Sequence, residues 1–408
     1  MKHRTLNPEE LRFTCDPTQF EFETTESVPP LEGIIGQERA ARSMEFGLAI
    51  KRHGYNIFMT GQTGTGKNSY AHTLVNEVAS TENVPDDWCY VYNFENPGHP
   101  VALRLPCGRG SSFAKDMQGL VESLKLEIPK AFDADDYERQ KADIYRVFQE
   151  IRAQLFEELH TMAEEQGFAL KRASTGFVSV PIVDGEEVAT EDIANLPEEL
   201  KEDLERKSSE LQFNAISVMR RIQAAEREMK EKVKELENKI GLFAVGYLID
   251  ELKDRYSNEE AVVAYLLAVR KDILDNLDDF RQDEEEPMQL PWLRRKEEPG
   301  HKYRVNVLVD NKETSGAPVI VETNPTYYNL VGRVEYENKL GMVTTDYTMI
   351  KAGSLLKANG GYLILQARDV LTNPGAWEGL KRVLKTREAC LENMGEQFGL
   401  LAMSSLRP

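Results

Sequence analysis

Gly61-Gln62-Thr63-Gly64-Thr65-Gly66-Lys67-Asn68 is the stretch on which the reading of this 408-residue chain turns. Glycine, four residues, glycine and lysine follow the spacing of a phosphate-binding loop, and only the residue after the lysine departs from it. Gly64 and Gly66 permit backbone angles that a Cβ forbids and let a ligand approach closely. The N–H groups of Thr63 to Lys67, with the N-terminus of a following helix, are set to face phosphate oxygens. Lys67 then reaches the β/γ oxygens as a point charge. A generic strand-to-helix turn needs neither the second glycine nor the lysine. The candidate nucleotide-binding residues here are therefore Gly61, Thr63, Gly64, Thr65, Gly66, Lys67 and Asn68. At position 68 the pattern calls for Ser or Thr, whose hydroxyl ligates the Mg²⁺ bridging the β- and γ-phosphates, and Asn68 stands there instead.

Working outward, Tyr55-Asn56-Ile57-Phe58-Met59-Thr60 reads as a strand entering the loop, and a helix leaves it from about Lys67 through Val75. Ala40 to Ile50 reads as a helix, Trp88 to Phe94 and Val101 to Leu105 as strands. This alternation is the α/β signature. From about Asp133 to Arg281 the texture changes to charged helix formers with apolar seams at three- and four-residue steps. One seam is Ile144, Phe148, Ile151, Leu155, Leu159 and Met162; the other is Met219, Ile222, Met229, Val233, Leu236 and Ile240. Seams of this length predict an antiparallel coiled coil. Between them, Gly176 to Gly185 reads as a small hairpin with Asp184-Gly185 at its turn. A third helical stretch covers Asn258 to Phe280, and the acidic run Asp283 to Glu286 before Pro287 reads as a linker. From Tyr303 the α/β texture returns, with strands at Val305 to Asp310 and Gly360 to Leu365 and a helix at Trp377 to Lys385.

Composition narrows the function. A formal charge of -19 and a pI near 5.0 argue against nucleic acid as a main partner, since a phosphate backbone is repelled overall. Four cysteines without C-x-x-C spacing and six histidines without H-E-x-x-H suggest neither a disulfide framework nor a zinc site, so no metal ligands are assigned. The N-terminus is polar and lacks an apolar signal core, and the strongest apolar run, Gly241 to Ile249, is too short to span a bilayer. The expectation is a cytoplasmic protein without a membrane partner.

In the order of these motifs the chain resembles the AAA+ module of Lon-like ATP-dependent proteases, nearest the B-type Lon branch with a coiled-coil insertion. The resemblance is carried by Ile34-Ile35-Gly36-Gln37-Glu38-Arg39-Ala40, the loop at Gly61 to Lys67, Val309-Asp310-Asn311 and Ala317-Pro318. It continues through Leu330-Val331-Gly332-Arg333-Val334, Ala352-Gly353-Ser354-Leu355 and Lys357-Ala358-Asn359-Gly360-Gly361. It implies an α/β fold, a P-loop AAA+ type parallel sheet with helices on both faces, interrupted by a long α-helical coiled-coil insertion bearing a small β-hairpin. The expected divisions are an N-terminal segment (1–30), a first core part with the P-loop (31–127), the insertion (128–300) and a second core part (301–408). The resemblance further implies ATP with Mg²⁺ as cofactors, polypeptide substrates, and a homo-oligomeric hexameric ring. It sets Gly36 and Gln37 against the adenine, and places Tyr336 to Met342 where a loop grips polypeptide in a central pore.

Two departures from the family bear on activity. Its second acidic motif puts an Asp, supporting Mg²⁺, and a Glu, orienting water, after the strand that here is Gly360 to Leu365; Gln366 and Ala367 occupy those positions. Asp369 lies three residues further on, and along a continuing strand it would point away from Gln366 and sit about 10 Å farther. Loss of one preorganised catalytic group commonly costs on the order of 10²–10³ in rate, so weak or absent ATPase is expected of a loop that still binds nucleotide. Second, the family's sensor strand, arginine finger, helical lid and Ser-Lys protease domain come later than Pro408. No serine here lies in a protease context and no catalytic residue is assigned; the expectation is a piece of a longer protease or a product lacking its second half. The competing reading is a non-catalytic nucleotide-binding interaction protein that works through its helical arm.

Overall fold

The computed structural model describes residues 6–12, 14–29, 37–52, 54–62, 64–173, 176–183, 186–187, 197–281, 298–339 and 342–391. In chain order these form α1 (Glu38–Ala49), α2 (Lys67–Ser80), β1 (Asp87–Val91), β2 (Val101–Leu105), α3 (Arg109–Phe132) and α4 (Asp135–Glu165). Then come β3 (Phe168–Ala173), β4 (Gly176–Val183), β5 (Glu186–Glu187), α5 (Glu198–Arg255), α6 (Glu260–Asp275), α7 (Asp278–Arg281), β6 (Asn306–Val309) and β7 (Val319–Glu322). The last group is α8 (Tyr327–Val331), β8 (Gly332–Val334), β9 (Glu337–Lys339), β10 (Met342–Thr344), β11 (Ile350–Ala352), α9 (Ser354–Lys357), β12 (Tyr362–Leu365), α10 (Ala367–Thr372) and α11 (Ala376–Thr386). Contacts divide the chain into two units: Met1–Pro85 with Glu313–Arg333 and Ala352–Cys390, and Asp86–Lys312 with Val334–Lys351.

In the first unit β12 pairs in parallel with β7, in the register Tyr362↔Val319 to Leu365↔Glu322. One face of this pair carries α2. Ala71 and Val75 are buried with Met44 and Leu48 of α1 and pack against Val319, Tyr362 and Ile364, the alternate residues that a pleated strand turns to one side. Close backbone approach ties the strands to the end of α2. The Ala317 N–H donates to Ala79 O over 2.8 Å, and a Cβ on Gly316 would come within 2.2 Å of that same carbonyl.

The second unit is mostly helical. α5 runs 58 residues, about 87 Å at the helical rise. α4 packs on it antiparallel: Tyr137 donates to Glu237 at 3.1 Å, while further up α4 Glu158 meets Arg221, further back on α5, at 2.7 Å. Asp135, Asp136 and Glu138 in the first turn of α4 favour its positive end. Toward the hairpin end Leu155, Leu159, Ala163 and Phe168 are buried with Leu211, Val218 and Ile222. At the base, Phe113, Met117, Leu124 and Ile128 of α3 pack with Val245 and Ile249 of α5 and Leu266 and Val269 of α6, together with Cys89, Leu103 and Leu105.

The sequence expectations need four corrections. Tyr55–Thr60 forms no strand among the described residues; Ile57 and Tyr55 lean toward Gly47 of α1, and Phe58 is 77% exposed. Among the described residues β7 and β12 pair in parallel as a two-stranded sheet, whereas β2, β1 and β6 form an antiparallel sheet in that order. The link 92–100 is too short for a parallel crossover, which needs about a dozen residues or more, so β1 and β2 must form a hairpin. In the seams, Ile151 and Met219 lie exposed and Val218 is buried instead. Val218 shares a stripe with Leu211, Ile222, Met229 and Leu236, at the seven- and four-residue steps that keep one helix face inward. Finally, the chain after Leu365 does not continue as a strand; it turns at Gln366 into α10.

The hairpin at Gly176 to Gly185 is present as β4 with β5, and β3 adds a strand on its other side. Its turn at 184–185 and the acidic linker lie outside the described residues.

Candidate functional site

The loop 61–67 owes its shape to its glycines. Gly64 and Gly66 adopt φ of 85° and 75°, in the left-handed region where a side chain costs about 1–2 kcal/mol, and Gly66 is the N-cap of α2. Its carbonyl accepts the Tyr70 N–H at 2.9 Å, opening the helix. The Thr65 hydroxyl donates to Gln62 O at 2.9 Å, and the Lys67 ammonium donates to Gly61 O at 2.8 Å and also to Gln62 O. Lysine thus staples both sides of the loop with two of its three donors. The N–H groups of Gly64, Thr65, Gly66 and Lys67 have no acceptor among the described residues. A Cβ placed on Gly64 would meet nothing within 4 Å, so the loop is unobstructed at that position. Unpaired N–H donors beside an ammonium, at a helix N-terminus, fit a phosphate group.

Of the expected nucleotide contacts, Gly61, Gly64, Thr65, Gly66 and Lys67 come together here, and Asn68 follows, exposed, in the first turn of α2. Thr63 and Gly36 lie outside the described residues. Gln37 caps α1 in a left-handed conformation (φ 62°, ψ 26°), its carbonyl accepting the Ala40 and Ala41 N–H groups. Such backbone is uncommon for a residue with a side chain.

Lys51, a basic residue close to the loop in sequence, is engaged elsewhere. It pairs with Glu82, lies 3.2 Å from the Tyr362 hydroxyl, and has its pKa raised by the Glu82 carboxylate. Tyr362 donates in turn to Glu82 at 2.9 Å, and its own pKa is raised, chiefly by burial. These contacts join the C-terminal end of α2 to the start of β12. With Ala317 N–H on Ala79 O at the start of the β7 segment, they show that α2 runs antiparallel to both strands. Its N-terminus, carrying Lys67, therefore points toward their carboxyl ends, the side on which parallel sheets bind ligands. Gln366 and Ala367 stand exposed at the carboxyl end of β12.

Two matches to protein-family descriptions fall on this frame. Residues 315–408 match the LonB-like AAA domain, and residues 87–120 match the Lon-like LonC helical domain. Over the matched residues these similarities support a Lon-related AAA+ module. A search of curated proteins gives no match. The LonB-like stretch contains β7, α8 and β12 with the Gln366–Asp369 turn. The LonC-like stretch covers β1, β2 and the first half of α3, elements that group with the helices rather than with the P-loop.

Within the matched residues 315–408 the segment Tyr336 to Met342 includes β9, which pairs antiparallel with β10 from Lys339↔Met342 to Glu337↔Thr344; Leu340 and Gly341 lie outside the described residues. Among the described residues no cluster of His, Cys, Asp and Glu is arranged to hold a metal ion, and no helix is long and apolar enough to cross a membrane.

Sequence reasoning missed the Glu82–Tyr362 tie and the buried Asp87. The Asp87 carboxylate accepts the Gly110 and Asn311 N–H groups at 2.9 Å each and joins β1, the start of α3 and the end of β6. Its only sequence signal is an acid flanking a strand.

Proposed function

We propose that this chain is the ATP-binding, substrate-handling portion of a Lon-like ATP-dependent protease, and that it binds nucleotide more effectively than it hydrolyses it. The observation that carries this reading is the loop at the head of α2, with its ammonium staple and with the N–H groups of Gly64 to Lys67 left without an acceptor among the described residues. Those donors hold the phosphates, while Gly36 and Gln37 flank the base. Hydrolysis also demands an acid to orient the attacking water, and the family position for it is Ala367. Binding therefore persists while turnover is weak. In a hexameric ring, nucleotide state moves the β9–β10 hairpins along an unfolded polypeptide, and the α4–α5 arm contacts substrate or partner.

The experiment is ATP binding by calorimetry, ATP turnover, and light scattering with and without ATP, on the intact chain and on Lys67→Ala. The expected result is binding that Lys67→Ala abolishes, turnover far below that of ordinary AAA+ proteases, and assembly that depends on nucleotide. Turnover at the ordinary level, abolished by the same substitution, refutes the weak-ATPase reading. A second reading, a non-catalytic interaction protein acting through its arm, is favoured by Gln366 and Ala367; ATP binding without any change of assembly supports it.

A further inference from the structure

The carboxyl end of β12 is not built as its sequence suggests. Gln366, at φ -81° and ψ 114°, is the N-cap of α10, and the chain coils from Ala367 onward. The Val370 N–H closes the first turn on Gln366 O at 3.1 Å. Asp369 therefore does not lie one strand segment beyond Gln366. It sits in the adjacent helical turn, where residues three apart share a face with Cβ atoms roughly 5–6 Å apart.

Asp369 is half-buried, yet its carboxylate has no hydrogen-bond or ion-pair partner among the described residues, the neighbouring Arg368 included. Asn373 bonds only to its backbone carbonyl, through N–H at 3.2 Å and Nδ2 at 2.9 Å. The structural duty of Asp369 is thus met by its main chain and leaves the side chain uncommitted. The antiparallel run of α2 against β12 turns the N-terminus of α2, with Lys67, toward the strand end that Gln366 follows, and Asp369 lies in the helical turn that begins there.

We infer that Asp369 supplies the carboxylate that Gln366 lacks, facing the magnesium ion of a triphosphate held at Gly61–Lys67. This rests on the nucleotide-binding reading above. A hard cation such as Mg²⁺ takes oxygen ligands and usually one or two protein carboxylates, directly or through its waters. Asn68 and Gln366 offer only neutral amides. Asp369 adds the missing negative charge from one helical turn away, while the water-orienting position at Ala367 stays empty of an acid. The site then holds Mg–ATP without gaining turnover.

The test compares ATP affinity in Mg²⁺ and in EDTA for the intact chain, Asp369→Asn and Asp369→Glu, with Lys67→Ala as control. The intact chain is expected to bind ATP roughly tenfold or more tightly with Mg²⁺, a gain that Asp369→Asn removes and Asp369→Glu restores in part. In EDTA, Asp369→Asn binds as well as the intact chain or better, because a negative charge near the phosphates is gone. Should Asp369→Asn fail to fold, Asp369→Ser carries the same comparison. A Mg²⁺ gain undiminished in the Asn variant overturns the inference, and so does ATP binding that is Lys67-dependent but indifferent to Mg²⁺; both leave the nucleotide reading standing. No ATP binding by the intact chain in either buffer ends both.

Discussion

The Tyr362 hydroxyl donates to the Glu82 carboxylate over 2.9 Å, and this bond joins the first residue of β12 to the chain just past α2. It spans 280 positions of sequence and orients the phosphate loop relative to the strand ends. Tyr362→Phe is expected to cost about 1 kcal/mol in denaturant unfolding, the usual net worth of such a bond. The pH dependence has a definite sign. Burial raises the Tyr362 pKa above 10.0, so as pH climbs past that value the unfolded chain loses its proton first and stability falls. Lys51, raised by Glu82, acts in the same direction: its stabilisation is complete below its unfolded value of 10.5 and is lost as pH rises through the folded value. Unfolding midpoints from pH 9 to 11 should fall more shallowly in the Phe variant.

Gly64→Ala separates binding from folding. The φ of 85° imposes a backbone cost of about 1–2 kcal/mol on alanine, whereas the added methyl meets no atom within 4 Å. The loop relieves that strain by moving, which misaligns its N–H groups. ATP affinity measured by calorimetry should drop by more than tenfold, with only a small shift in melting temperature.

Asp87→Asn should be costly for a near-isosteric change. The carboxylate is fully buried and accepts two N–H groups on separate oxygens, and an amide presents a donor to one of them. One unsatisfied or clashing pair costs about 1–3 kcal/mol. Chemical denaturation measures it.

Cys89 is fully buried, and burial pushes its thiol up to about 12 from an ordinary 9.0, with Asp87 and Asp310 adding to the shift. Thiol reagents at pH 8 are expected to label the exposed Cys15 and Cys390 quickly and Cys89 only in denaturant. Between pH 9 and 12 the folded state keeps a proton that the unfolded state releases, so this group lowers stability as pH rises. Rapid native labelling of Cys89 would contradict the packing of β1 against α3.

Leu159→Ala, at a site 1% exposed in the cluster near the hairpin, should cost about 2–5 kcal/mol. Hydrogen exchange should rise in 155–163 and 211–222, the stretches that share this cluster.

Much of the frame is legible in order of residues. The glycines and lysine of 61–67 mark a turn whose geometry depends on its own backbone, and the structure places that turn at the head of α2. The arm is legible because its seams repeat, although Val218 rather than Met219 takes the inward place: adjacent residues on a helix differ by about 100°, and two apolar neighbours compete for one stripe. Tyr55–Thr60 was misleading because an apolar run states a preference for burial without naming a partner strand. The turn at Gln366 had a weak signal in the helix formers Ala367 and Arg368 and the stop at Asn373-Pro374, overshadowed by the apolar strand before it.

Sequence alone determined the glycine turn that precedes α2 and the long helices of the arm, since both follow from backbone freedom and apolar spacing within a few neighbouring residues. Tertiary structure decided which end of β12 the N-terminus of α2 lies toward, because that direction is set by Glu82 with Tyr362 and Ala79 with Ala317, pairs far apart in the chain whose packing no local pattern encodes. It also turned the residues after Leu365 into a helix, so Asp369, which an extended strand would carry away, lies within one helical turn of Gln366.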